Sequence, residues 1–556
     1  MTRFLQLSFL LATSLSAQPG MDTQYELALT LPGHEAAKSF RQAADQGHAD
    51  AQYRMAEEAW RAGKFNEMLA WLKKSADQGN VKAQASLGLA LWQGIGAAED
   101  DREAAKWLIT AAENDSDKAR IALNLFTYQN LAALRTAAAD GDVQAQIQFG
   151  FCHLNGQGVA KDPAEAFKYF SQAADRDDPT AQYLLGYRYL HGEGIAKDTT
   201  AALNWFRLSA AQHCVGGELA LGFCYLNGLG VEKNGASALE WYRKAAEQNN
   251  ANAQNTVGYL YLNGIGVARD DAAAARWFTR AARCGNAVAQ SNLAMCLFNG
   301  RGVPRDVARA ARLYRASAEQ GYADAERILA LLHAVGQGVE QNLPEALKWL
   351  RKAADHGDSQ ARERLGFFHL NGQGVERDPA EAVRWFKLAA AQDNPAAMVS
   401  LAMCHLSGEG ADRDPAEAFK LLTRAADLGF ADAQNKLGYF YLNGVGTAAD
   451  PAVGAKWFLR AAEQGNPQAQ ANLALCYERG LGVNKNLPAA TKWYRLAADQ
   501  NYPEAQYKLA LHYYNGAGVT RNLDEAIKWV TRAVQGGYPD ASKALEIMQA
   551  DKAAGR

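Results

Sequence analysis

The sequence has no long run of like charge. Its 58 Lys and Arg nearly balance 60 Asp and Glu, for a formal net charge of −2. Without a basic patch there is no electrostatic footprint for nucleic acid or for an anionic membrane. Beyond residue 20 there is no apolar stretch of the roughly 20 residues that a membrane-spanning helix needs. The signatures of common enzyme chemistries are missing as well. S-x-x-K, K-T-G, G-x-S-x-G, H-E-x-x-H and G-x-x-x-x-G-K do not occur. Their absence argues against serine acyl-transfer, zinc protease and nucleotide phosphate chemistry. Cysteine is scarce and odd in number, at seven. Cys152, Cys224, Cys296, Cys404 and Cys476 recur at separations of 72 or 108 residues. At about 10 Å per stacked helix layer, these pairs lie beyond disulfide reach, so they read as small buried residues. Cys214 and Cys284 fall near turns and are assigned no bridge.

What the chain has instead is one stretch, copied. Residues 251–286 read ANAQNTVGYLYLNGIGVARDDAAAARWFTRAARCGN. Ala253, Val257, Gly258 and Tyr261 form one stripe of a helix, here helix A. Asn263 and Gly264 close it, Gly266 completes a G-x-G turn, and Val267 can tuck back as an apolar plug. Asp270 caps a second helix, B, whose stripe is Ala274, Trp277, Phe278, Ala281 and Ala282. Gly258 is expected to receive helix B closely, with Trp277 as the bulky knob. The many G-x-G turns follow helices rather than strands, so they are not nucleotide loops. A unit of this size cannot bury its own faces, and its neighbours must stack on it.

The pattern A-x-A-Q-x-x-L-G-x-x-Y-x-x-G-x-G-V followed by D-x-x-x-A-x-x-W resembles the Sel-1-like repeat, a relative of the tetratricopeptide repeat. It recurs in register over most of the chain. The fold expected is all-α, a right-handed superhelical solenoid of tandem 36-residue helix-turn-helix repeats. The resemblance implies a non-enzymatic scaffold or adaptor that binds a protein or peptide partner, with helix A lining an inner groove. Some cysteine-rich relatives are described as β-lactamase-like, which leaves a cell-wall-directed hydrolase as the alternative. Those relatives staple helix A to helix B by disulfides, and this chain lacks the cysteine pairs.

Residues 1–20 resemble a secretory leader, with Arg3, an apolar stretch from Phe4 to Ala12, and a cleavage site after Ala17. A secreted or periplasmic protein follows; a start at Met21 would make it cytoplasmic. Residues 21–142 hold irregular or short units at 22–48, 49–80, 81–116 and 117–142, the last an irregular joint. Residues 143–538 are eleven regular units of 36, without insertion or deletion. Trp recurs in helix B at 205, 241, 277, 349, 385, 457, 493 and 529, with Tyr169, Leu313 and Leu421 in the same slot elsewhere. Several B helices open with Asp-Pro-Ala-Glu, as at Asp162–Glu165, which reads as a capping box. Residues 539–556 supply a capping helix and a polar tail.

The candidate binding residues sit on helix A. Phe151, Tyr187, Phe223, Tyr259, Phe367 and Tyr439 share one slot, with Met295, Met403 and Leu475 between them. An aromatic ladder of this kind suits a peptide or partner helix. Alternatively, these side chains fill the spaces between neighbouring A helices. Asn155, Asn227, Asn263, Asn371, Asn443 and Asn515 could bond an extended ligand or simply cap the helix. His153, His333, His369 and His405 replace the helix A Tyr. One unit apart, they cannot converge on one ion at about 2.0–2.1 Å, and they read as core. No cofactor, metal or catalytic residue is assigned, and a monomer is expected.

Overall fold

The computed structural model describes residues 21–29, 33–98, 100–113, 119 and 131–553. Among them are 30 helices and no strand. The expected leader at 1–20, residues 114–116, half of the joint (117–118 and 120–130) and residues 554–556 lie outside the described residues. The last helix, Ala541–Ala553, takes in the first residues of the expected polar tail. The chain falls into two compact units, Met1–Gln341 and Asn342–Arg556. In each unit helix A packs on helix B of its own repeat, and helix B on the next helix A.

The boundaries of a repeat follow from local chemistry. Helix Ala251–Asn263 ends on Gly264 at φ 67°, the left-handed conformation that costs glycine nothing. Helix Asp271–Arg283 begins where Asp270 accepts the Ala273 N–H at 2.8 Å. The backbone N–H of Asp270 bonds back to the Tyr261 carbonyl at 3.0 Å, which fastens the start of B to the end of A. Asp162 does the same to His153 at 2.7 Å, and Asp378 to His369 at 2.8 Å. That bond corrects the expected capping box. The N–H that Glu165 would reach is already taken, and Glu165 pairs with Lys168 at 2.6 Å instead.

Packing inside a repeat also differs from expectation. Phe278, not Trp277, lies on Gly258: a Cβ there would stand 2.6 Å from Phe278 Cε1. Phe278 is fully buried, whereas Trp277 is only partly so. Trp277 lies over the edge of the core, with the Arg280 guanidinium 4.6 Å from its ring centroid. The cause is helical phase. Residue 278 points at helix A, and residue 277, about 100° round, points at the rim.

Between repeats, two devices recur. The second glycine of each turn touches the first turn of the preceding B helix. At Gly266 a Cβ would run into the backbone of Gly235. The Gln of A-x-A-Q reaches backward too: Gln254 Nε2 donates to the Ala246 carbonyl at 3.1 Å. Gln290 does likewise toward Ala282, and its Oε1 accepts from Gln320 at 2.8 Å. Buried amides therefore satisfy orphan helix-end carbonyls from one repeat to the next.

The first unit contains a contact that periodicity did not announce. Helix α1 (Met21–Ala28) lies against the repeats of residues 251–322. Asp22 accepts Nε and Nη2 of Arg283, both at 2.7 Å. Glu26 accepts Arg309 Nε at 2.7 and 2.8 Å. The Cys284 thiol donates to the Gln78 carbonyl at 2.9 Å. Behind α1, Tyr25 stacks on His48 with ring centroids 4.1 Å apart and donates to Asp50. The stack thus returns on its own beginning.

Candidate functional site

Helix A leaves one stripe uncovered, and the aromatic slot lies on it. Tyr259 is 50% exposed, Phe223 46%, Phe367 40% and Tyr439 55%. Phe151 and Tyr187 are partly buried, as are Met295, Met403 and Leu475. Two of the rings rest on the B-helix ring of their own repeat. Phe151 meets Phe170 edge-on at 5.3 Å, and Phe367 meets Phe386 at 5.5 Å. These two rings are thus held by an edge contact to the B helix while part of each stays uncovered.

The asparagine row has a structural job. Asn263 Nδ2 donates to the Tyr259 carbonyl at 2.9 Å, and Asn227 Nδ2 to that of Phe223 at 2.9 Å. Asn371 and Asn443 repeat the bond to Phe367 and Tyr439. Each amide closes a helix C-terminus by capping the carbonyl of a ladder residue. Its oxygen and second N–H are not used by that bond.

Two features of this stripe escaped the sequence reading. Amides bridge neighbouring A helices: Asn292 Nδ2 donates to Asn255 Oδ1, and Asn472 Nδ2 to Asn435 Oδ1, both at 2.8 Å. Residues 37 apart, one repeat plus one, were the available signal. The second feature is electrical. The five helices Val143–Asn155, Pro179–His191, Val215–Asn227, Ala251–Asn263 and Ala287–Asn299 contain no Asp or Lys, a single Arg and a single Glu. Arg188 is buried and paired with Glu193. Glu218 is buried and accepts Gln248 Nε2 at 2.8 Å; burial raises its pKa above the usual carboxylate value. The open face of these helices is amide, hydroxyl, imidazole and aromatic.

The remaining candidates are core. Cys152, Cys224, Cys296, Cys404 and Cys476 are buried, and desolvation pushes each thiol up to about 11. None of the seven cysteines is in a disulfide. His333 contacts the Glu340 carbonyl at 3.3 Å and Arg315 Nη2 at 3.2 Å. His405 contacts the Asp412 carbonyl at 3.1 Å. His153 stacks on Tyr169 at 5.8 Å. His369 keeps a buried Nδ1 without a hydrogen bond. Each imidazole belongs to its own repeat, and among the described residues no three His, Cys, Asp or Glu gather as a metal site.

Helix pairs stacked by glycine turns, repeated along the chain, define an α-solenoid. The Sel1 repeat model matches residues 69–80, 81–116, 143–178, 179–214, 217–250, 251–286, 287–322, 323–358, 359–394, 395–430, 431–466, 467–502 and 503–538. The chain belongs to the Sel1 repeat family. Among solved structures it is similar to c5321, a protective antigen of uropathogenic Escherichia coli with the same fold. That match has 31% identity and a TM-score of 0.53, over 86% of this chain and 97% of that one. A Sel1 repeat protein from Oxalobacter formigenes is 30% identical, with a TM-score of 0.46, over 56% of this chain and 90% of that one. No curated protein matches the chain.

Proposed function

We propose that this protein is a scaffold that captures a protein or peptide partner on the uncovered stripe of its A helices. The observation that carries the reading is the row of half-open rings, Phe223 and Tyr259 in the first unit and Phe367 and Tyr439 in the second. Phe367 is held by its edge contact with Phe386, so little ordering entropy is lost when a partner covers it. Covering the open half of one such ring removes on the order of 100 Å² of surface, or roughly 2 kcal/mol. Several rings in series supply affinity without any single deep contact.

Affinity capture from native extract with the wild type and with Tyr187, Phe223 and Tyr259 changed to Ser tests this. Loss of the captured partner with unchanged melting supports the stripe. Retention of the partner by the triple variant would sink it. The reading includes the absence of turnover, so hydrolysis of a chromogenic β-lactam by purified protein would replace it with the hydrolase alternative. It also includes export with cleavage after Ala17, which the mass of the mature chain checks through Gln18 as first residue. A monomer is expected in sedimentation.

A further inference from the structure

The repeat at residues 49–80 departs from the regular ones in a way that leaves a hole. Its A-to-B turn is Ala62-Gly63-Lys64, without the G-x-G turn and without the apolar plug that Val267 supplies in the regular unit. Ala59 stands in the slot of Tyr261. In the next repeat, Ala90 stands in the slot of Leu260. In none of the eleven regular repeats is either slot Ala or Gly. Of these positions Ala90 lines a cavity of about 320 Å³, together with Tyr53, Glu57, Trp60, Met68, Leu89 and Ile95 among others. Trp60, whose regular counterpart Leu262 is 7% exposed, is 50% exposed at its edge. Phe65, 42% exposed, meets Trp60 edge-on at 5.5 Å.

We infer that this cavity is a socket for one bulky apolar side chain, aromatic or large aliphatic, carried by an uncharged extended segment of a partner protein. The inference rests on the partner-binding reading above and names its chemistry. The volume lies at the small end of the roughly 300–1,000 Å³ of ligand pockets, which suits one side chain rather than a cofactor. Its walls are mostly thioether, aliphatic and aromatic, with Ser86 and Gln93 as neutral polar groups among them, which suits an apolar side chain on a peptide backbone. The mouth carries one carboxylate, Glu57, and one guanidinium, Arg61, so it favours neither sign. Glu57 and Leu89 occupy the same helix A slot as Phe223 and Tyr259, so the socket opens on the docking row itself. The five A helices between 143 and 299 present no exposed Asp, Glu, Lys or Arg. A charged segment laid on them would be desolvated without a counter-charge.

The test uses the full chain and a phage library of random twelve-residue peptides. The expected outcome is enrichment of peptides that carry Phe, Trp or Leu and few Asp, Glu, Lys or Arg. Ala90→Leu installs the side chain that two regular repeats carry there, at Leu260 and Leu332. It should weaken the enriched peptide at least tenfold in fluorescence anisotropy, with melting unchanged or raised. Ala90→Ser, which keeps the hole, should bind as the wild type does. Equal binding by Ala90→Leu overturns the socket, as does enrichment of charged peptides, or no enrichment at all. Binding confined to a glycan array overturns it too. If Tyr259→Ser weakens the peptide and Ala90→Leu does not, the docking row stands and the socket alone fails. If neither substitution matters, both fail.

Discussion

Phe278 packs against Gly258, so close that a methyl group on the glycine would meet the ring at 2.6 Å. The same pairing joins Gly150 to Phe170, Gly186 to Phe206 and Gly438 to Phe458. At Ala402 and Leu422, in one core cluster of the second unit, a larger A-helix residue faces a smaller B-helix one. There volume is traded across the hairpin, which keeps native packing density.

Substitution at this contact should show the trade. Gly258→Ala is expected to destabilise by about 1–3 kcal/mol through overpacking. Adding Phe278→Leu should restore most of it, because that pair already exists at Ala402 and Leu422. Chemical denaturation of the single and double variants measures this; strictly additive losses would contradict it.

The two glycines of one turn should respond differently. Gly264 needs only its positive φ, which Asn tolerates. Gly264→Asn should therefore cost less than about 1 kcal/mol. Gly266 has positive φ and also abuts the Gly235 backbone. Gly266→Ala must displace the neighbouring repeat, and a lowered and broadened melting transition is expected.

The contact of α1 rests on charge. Arg283→Met removes the bidentate partner of Asp22 and leaves a partly buried carboxylate. Hydrogen bonds to charged groups contribute about 1.5–3 kcal/mol. Amide exchange in Met21–Ala28 should quicken by roughly ten- to a hundredfold, while exchange in Ala431–Asn443 stays unchanged.

The same contact should weaken in acid. Burial lowers the pKa of His48 to about 4, against the attraction of Asp22 and Asp50. The unfolded chain, with an ordinary pKa near 6.5, then binds more protons than the folded one between about pH 6.5 and 4. Stability from His48 is present above that window and is lost as pH falls through it. Glu26 acts in the opposite sense, since burial raises its pKa, and Arg309 only partly offsets this. His48→Asn keeps an N-cap side chain like that of Asn80. It should flatten the pH dependence of α1 exchange over this window, and an unchanged slope would reject the assignment.

The sequence by itself determined the repeat. Glycines at fixed spacing set where helices end, Asp and Asn set where they begin, and the apolar stripes set which faces meet. Those signals are local, and a period of 36 repeats them until they cannot be missed. It also placed Phe223, Tyr259, Phe367 and Tyr439 in one slot, which is why the candidate row was legible. The tertiary structure decided which neighbour each side chain meets. A step of one residue turns a helix by about 100°, so whether Trp277 or Phe278 fills the core depends on helix phase, which the apolar pattern leaves open. It decided, too, that Ala90, Trp60 and Met68 line one cavity, and that Asp22 meets Arg283 across 261 residues. Contacts of that kind leave no trace in periodicity, because they come from how far the stack of helices turns before it returns to its start.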